Sequence, residues 1–385
     1  MAHCRPVAVS SSRSAWIDNL RTAVVLLVVN MHACVTYSHV GSWYVMESPE
    51  PDLSVKIPFL YWQGHLQAFF MGLLFFLAGV FAHGACARRG PASFVRERLL
   101  RLGAPALFYM VLIQPFINYV LMRQPNWPPS SQLYWRYLAS VRVLSGSGPL
   151  WFALALLVFC TVFAIWRMVR LVPVTSETKA PPSLSVVMAF GLILVVTTFA
   201  VRLAQPLGTN FFNMQLCFFP QYSAVFFVGV LAGRYGWLNA LASSRLAAGA
   251  GWLVLVAGPL GLTAVLILGG VTTNGDFQPY KGGWHGQALG LAAWEQLSGV
   301  ALGLGAMALF QRHFNSDGPV ARWMAQHSFG VYVLHAPVLV ALVPVLHPLP
   351  GGPVVKMLVL TALGLVLSHA AAFGAKQIPG LRRIL

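Results

Sequence analysis

The chain has 385 residues, of which 57% are hydrophobic and only 9% charged, with a mean hydropathy of +0.70. Soluble domains carry about 25% charged residues, so the composition excludes a soluble enzyme and points to an integral membrane protein in a lipid bilayer. The net charge of +16 raises nucleic acid as a partner. In a polytopic membrane protein, however, basic residues record which loops stay inside, and no nucleic-acid partner is expected.

Residues 1–15 form a short polar tail. The apolar run that follows is longer than a signal-peptide core and lacks a small-residue cleavage site, so it reads as an uncleaved first span. Apolar runs of about twenty residues then recur along the chain, which favours helices over a barrel with period-two strands. Spans are predicted near 16–37, 58–83, 102–122, 148–170, 184–204, 216–235, 247–270, 286–311, 325–347 and 354–376. The expected fold is all-α, a polytopic bundle of about ten transmembrane helices forming one membrane-embedded domain over 1–385, with a C-terminal tail at 377–385.

The first span carries the most informative polar set. Asp18 and Arg21 stand at its start, and Asn30 and His32 interrupt its apolar run. An ionisable residue inside a membrane helix costs about 2.5–3.5 kcal/mol and marks function by default. Arg21 and His32 are eleven positions apart, which leaves them about 20° apart around the axis and roughly 16 Å apart along it. They share a face at different depths. Asp18 is one turn from Arg21 and within pairing reach, whereas Asn19 and Asn30 fall on the other side.

With the N-terminus inside, seventeen of the 25 Lys and Arg residues fall on inside segments and seven, Arg202 among them, on outside ones. Both termini are therefore expected to be cytoplasmic. The outside loops Gly41-Ser-Trp-Tyr, Gln124-Pro-Asn-Trp-Pro-Pro and Phe277-Gln-Pro-Tyr-Lys-Gly-Gly-Trp-His mix aromatic with small polar residues. Such surfaces suit sugars, and they equally suit interface anchoring and turns. Trp43 and Tyr44 are the sugar-binding candidates here, with His39 on the His32 face beyond the helix end.

The longest inside segment, Arg88 to Pro105, holds Arg96, Arg98 and Arg101, with Ser93 as a candidate N-cap. Arg98 and Arg101 are three apart and share a helix face, an arrangement that suits a polyanion. Five scattered cysteines show neither disulfide nor metal spacing, and no metal site is expected. Glu295 sits inside an apolar run, where it must be protonated or find a cation or a histidine; pairing with His32 and pairing with an arginine between helices are both open. His65, His335 and His369 read as packing or supporting residues.

Several short motifs occur in order along nearly the whole chain: Trp16-Ile-Asp-Asn-Leu-Arg followed by His32, Phe69-Phe-Met-Gly-Leu-Leu-Phe-Phe-Leu-Ala-Gly, Phe94-Val-Arg-Glu-Arg-Leu-Leu-Arg-Leu, Gly148-Pro-Leu-Trp-Phe, Trp294-Glu-Gln, and Ser328-Phe-Gly-Val-Tyr-Val-Leu-His-Ala-Pro. In these the chain resembles the acyltransferase 3 family of bacterial membrane O-acyltransferases, most of all the glucan biosynthesis protein C type, which succinylates periplasmic glucans. The resemblance implies an enzyme of the bacterial inner membrane that takes an acyl group, succinyl or acetyl, from cytoplasmic acyl-CoA. The acceptor is a hydroxyl of an outward-facing carbohydrate or glycolipid. Acyl-CoA is then a donor substrate, and no permanently bound cofactor is implied.

The resemblance makes His32 the catalytic residue, with Arg21 and Glu295 as its partners, and assigns the donor to Arg96, Arg98 and Arg101. Where the family has a doubled arginine, this chain reads Arg96-Glu97-Arg98. Trp151, in the Gly148 motif, joins Trp43, Tyr44 and His39 as an acceptor-binding candidate. A neutral imidazole suits the step, because the attacking hydroxyl must lose a proton near neutral pH. The competing reading is a transporter or flippase that uses Arg21 and His32 as a charge relay without chemistry.

Overall fold

The structure is a computed structural model, and it describes residues 14–170, 178–271 and 275–383. Among these residues it is helical, with one isolated bridge, Phe211 to Met214, and no strand ladder. Among the described residues nine helices are long and apolar enough to cross a membrane: α1 (Ala15–Ser38), α2 (Leu53–Arg89), α3 (Pro91–Leu121), α4 (Gly148–Arg170), α5 (Leu184–Ala204), α6 (Leu216–Tyr235), α7 (Arg245–Leu268), α9 (Pro319–Leu346) and α10 (Pro353–Ala375). The protein is an all-α, multi-pass membrane protein. In lipid a spanning segment must satisfy its own backbone hydrogen bonds, which is why each apolar run closes into a helix.

The tenth expected span is α8 (Gly286–His313), whose 28 residues include the buried Glu295, Gln296 and Ser298. It is too polar to count among the nine, yet it runs the depth of the bundle. Near its start Gln287 Nε2 donates to the Gly269 carbonyl at the end of α7 (3.2 Å). Just past its end, Asn315 Oδ1 accepts from the Trp16 N–H (3.2 Å), and Asn19 Nδ2 donates to the Phe314 carbonyl (2.7 Å). At the close of α10, Lys376 donates to the Gln326 carbonyl near the start of α9. The described parts of α1 and α10 thus begin and end at one face, as an even number of crossings requires.

That face, the basic end, also holds the close of α2, α4 and α6. The opposite face, the loop end, holds residues 39–52, 122–147 and 205–215. α1 and α2 are the most enclosed helices, whereas α5, α7 and α10 present rows of Leu and Val outward, as lipid-facing helices should.

Two local features shape the site. In α3, π-helical turns at Leu99–Gly103 and Tyr109–Ile113 lie just before or around the positions Pro105 and Pro115 disturb. A proline lacks the N–H for the i−4 carbonyl and its ring pushes that carbonyl away, so the helix widens there and rotates the residues that follow. Between α2 and α6 the backbones touch: a Cβ on Gly79 would strike the Phe226 carbonyl, and one on Gly229 the Phe76 carbonyl. Only glycine permits this approach, which draws the two helices together in the way small residues do in membranes.

The helix of the inside segment, expected to start at an N-cap Ser93, starts at Pro91. Gly90, at φ +77, precedes Pro91 at the first helical position, so the start is set by this pair rather than by Ser93. Arg202, counted with the outside loops, is fully buried within α5.

Candidate active site

His32 lies six residues before the end of α1, close to the loop end. His39 closes the helix in the left-handed region at φ 59, its N–H donating to the Val35 carbonyl. The chain then folds back, and the Glu47 N–H donates to the Thr36 carbonyl (2.9 Å). This return lays the Trp43 indole on the His32 ring, with centroids 3.5 Å apart and planes 16° from parallel. His335 of α9 adds a third nearly parallel ring, 5.3 Å from His32 and 6.1 Å from Trp43.

Within this stack the nitrogens differ. His335 Nδ1 donates to the Tyr332 carbonyl (2.8 Å), which leaves Nε2 without the proton in a neutral ring. His335 Nε2, His32 Nδ1 and Trp43 Nε1 are all enclosed without a hydrogen-bond partner. Buried polar atoms are nearly always satisfied, and exceptions gather where a ligand or catalysis needs them. No carboxylate bonds either imidazole among the described residues.

A polar wall stands beside the stack. Tyr44, packed edge-on against Trp43 at 4.9 Å, donates to Gln114 Oε1 and meets the Tyr109 hydroxyl at 3.0 Å. Burial pushes the Tyr44 phenol well above its ordinary pKa, so it stays a donor. Gly148, at φ +49, lets the chain pass this wall, since a Cβ there would press on Tyr109 and lie 2.6 Å from the Tyr44 hydroxyl. Asn213 Nδ2 donates to the Gly148 carbonyl (2.8 Å), and the Tyr332 hydroxyl to that of Pro149. A clasp holds the loop over the site: Lys356 Nζ and His347 Nδ1 both reach Glu47 Oε1 at 2.9 Å.

Glu295 is not part of this centre. Its Oε2 accepts from Arg202 Nη2 at 2.7 Å, and its Oε1 from Gln296 Nε2 at 3.1 Å. Both charged side chains are enclosed, at 0% and 7% exposure. The buried carboxylate has therefore found an arginine across two helices and does not bond His32. Arg21 is likewise apart from His32: it is 54% exposed at the basic end, 4.0 Å from Asp18.

Of the α3 arginines, Arg96 is exposed and Arg101 Nε pairs with Glu97 at 3.0 Å, while Arg89 also binds Glu97. Only Arg98 turns inward, its guanidinium 5.1 Å from the Phe94 ring centre. His39 faces its own loop, Nε2 donating to the Glu47 carbonyl at 2.7 Å. Trp151 stacks on Tyr222 (5.8 Å) and meets Phe152 edge-on, and Phe152 touches Tyr332 beside His335. His65 bonds the Tyr61 carbonyl and His369 the Leu365 carbonyl, each within its own helix. No group of three His, Cys, Asp or Glu gathers as a metal site among the described residues.

The acyltransferase domain profile of the acyltransferase 3 type matches residues 14–373. The chain belongs to this family. The match runs from the residue before α1 to within two residues of the end of α10, so the acyltransferase is a membrane O-acyltransferase with the His32 centre inside its family domain. No curated relative and no solved structure matches the chain.

Sequence reasoning pointed to Trp43 and Tyr44 of this acyltransferase as sugar contacts. It missed that they form the wall around His32 and that the His335 ring lies beside it. The sequence signals were the aromatic pair close behind the histidine helix and the Gln114-Pro115 step inside a span, both visible but without a partner to point at.

Proposed function

We propose that the protein transfers an acyl group from acyl-CoA to a hydroxyl of an extracytoplasmic carbohydrate, with His32 as general base. The observation that carries this reading is the half-buried imidazole with no carboxylate and an enclosed, unpartnered Nδ1, held flat against an indole with a second, nearly parallel imidazole beside it. With Nδ1 enclosed, Nε2 is the nitrogen assigned to the acceptor's proton. A positioned base of this kind contributes about 10²–10⁴-fold in rate.

Trp43, Tyr44 and Trp151 suit a sugar, whose apolar ring faces pack on aromatic planes while its hydroxyls bond phenols and amides. The loop end would face the periplasm and the basic end the cytoplasm of a bacterial inner membrane, with both termini inside, because basic residues are retained there. Acyl-CoA, bearing phosphates, would dock at the basic end, and Trp151 and Arg167, sixteen residues apart on α4, give about 24 Å between the two regions. Of the acyl groups, succinyl transfer to a periplasmic glucan is favoured by the ordered motifs shared with the glucan biosynthesis protein C type.

Mass spectrometry of cell-surface glycans tests the reading. Cells with the protein should carry an acylated glycan, with a mass increment that names the acyl group, and cells with His32→Ala or no protein should lack it. Identical glycans in all three strains would refute it.

A further inference from the structure

Histidines on other helices of the bundle tie one ring nitrogen to their own backbone. His65, His327 and His369 each donate through Nδ1, to the carbonyls of Tyr61 (2.6 Å), Trp323 (2.7 Å) and Leu365 (2.8 Å). His335 does the same to Tyr332 (2.8 Å). Such a bond decides which nitrogen carries the proton, since a neutral imidazole has one donor and one acceptor. His32 breaks the pattern: its Nδ1 bonds no carbonyl of α1 and is enclosed without a partner. Its own helix therefore leaves the tautomer of the proposed base unset.

The neighbouring rings supply what α1 does not. Trp43 lies 3.5 Å from His32, while His335 lies 5.3 Å from His32 and 6.1 Å from Trp43, so the corner at His32 is close to a right angle. Trp43 thus covers the face of the His32 ring, and His335 stands at its edge with the two planes only 15° apart. Two imidazoles joined edge to edge by one hydrogen bond have centroids about 5 Å apart. The indole N–H runs along its own plane, above the His32 ring and not into that edge. His335 is fully buried, and with Nδ1 tied to Tyr332 its enclosed Nε2 is an acceptor that no donor meets among the described residues. A buried polar atom left unmet costs about 1–3 kcal/mol, and two such atoms on adjoining rings relieve each other when they bond. The χ2 torsion of histidine is broad, so a slight turn of either ring is enough.

We infer that His335 is a positioning residue for His32: its Nε2 accepts from His32 Nδ1–H, which keeps the lone pair of His32 on Nε2. The inference rests on the proposed reading of His32 as general base. As the acceptor oxygen bonds the acyl carbon and the donor's C–S bond breaks, the hydroxyl proton moves to His32 Nε2 and then to the departing thiolate. Between those transfers His32 is an imidazolium, and its bond to His335 becomes charge-assisted and stronger than in the resting pair. A carboxylate in this place would orient the base equally well, but it would bring a further charge into the membrane, which a neutral imidazole avoids.

The test joins a spectrum to kinetics on the purified full-length protein in lipid bilayers. Solid-state NMR of protein carrying nitrogen-labelled histidine, with the His32 signals identified by their loss in His32→Ala, should show the proton on Nδ1 in the wild type. His335→Gln, whose side-chain oxygen can stand near the place of Nε2, should keep that tautomer and a kcat within about threefold of the wild type. His335→Phe keeps a ring but offers no acceptor, so it should release the tautomer and lower kcat about 10–100-fold with the acceptor KM unchanged. A packing role alone predicts the opposite order, with Phe tolerated better than Gln. If His335→Phe does not fold, the wild-type spectrum decides, because a His32 Nδ1 without a proton overturns the inference. One tautomer shared by the wild type and His335→Phe overturns it too and leaves the general-base reading standing. A tautomer that follows His335 while kcat stays at the wild-type value confirms the pairing and removes His32 from the role of base.

Discussion

Two polar centres are buried in this membrane bundle, and they are built on opposite plans. Around Glu295 the charges are matched: a carboxylate meets a guanidinium at 2.7 Å between α5 and α8, and a neighbouring amide takes the second oxygen. Around His32 nothing is charged and little is matched, since three ring nitrogens in one aromatic stack lack partners. The lesson is that an ionisable residue in a membrane span marks either a joint or a working site. What separates the two here is whether the ionisable group already has a partner of opposite charge, since Arg202 Nε and Nη1 and Gln296 Oε1 beside Glu295 are enclosed without partners as well.

Substitutions should separate the centres cleanly. The largest effect is expected from His32→Ala, which removes the base and should lower acyl-transfer turnover about 10²–10⁴-fold in isolated membranes while the amount of inserted protein is unchanged. Next comes Glu295→Ala. Stripping one member of a buried pair leaves Arg202 uncompensated and costs about 3–5 kcal/mol, so the loss should appear as reduced folded protein and a lower melting temperature. Turnover per folded molecule should stay near that of the wild type. A Glu295→Ala enzyme of normal stability and no turnover would merge the two centres into one.

A smaller effect is expected at Trp43. Trp43→Ala uncovers the His32 ring and removes a sugar platform, so the acceptor KM should rise about two- to tenfold, in line with aromatic stacking worth about 0.5–1.5 kcal/mol. Initial rates against acceptor concentration read this directly. The smallest effect belongs to Arg96→Ala, an exposed side chain with no hydrogen-bond or ion-pair partner among the described residues, for which stability should move by no more than about 0.5 kcal/mol in thermal melts.

The chain's apolar period made the bundle legible from the sequence, because lipid leaves helices as the choice for runs of this length. The span at 286–311 shows where that signal thins. Glu295, Gln296 and several glycines lower its hydropathy, and it is bonds such as those from Gln287 to Gly269, from Trp294 to Gly258 and from Trp16 to Asn315 that show it crossing the bundle. His32 stood out because a lone imidazole in Val and Leu is conspicuous. Its neighbours did not, since Trp43 reaches it through a turn at His39, and His335 comes from a helix three hundred residues later in the chain.

The partner of Glu295 was hidden for a related reason. Arg202 sits near the end of a span, where snorkelling to the interface is the ordinary expectation, and only tertiary packing turns it inward. The same holds for Arg98, which looks like a retained inside charge until packing lays its guanidinium over Phe94 with Nε enclosed.

The most direct test is a single-turnover assay with radiolabelled acyl-CoA, purified wild type and His32→Ala, using preparations whose melting temperatures and CoA affinities are measured alongside. The account predicts a variant that melts and binds donor like the wild type yet forms no acylated acceptor on the wild-type timescale. Product appearing at the wild-type rate from His32→Ala would contradict it.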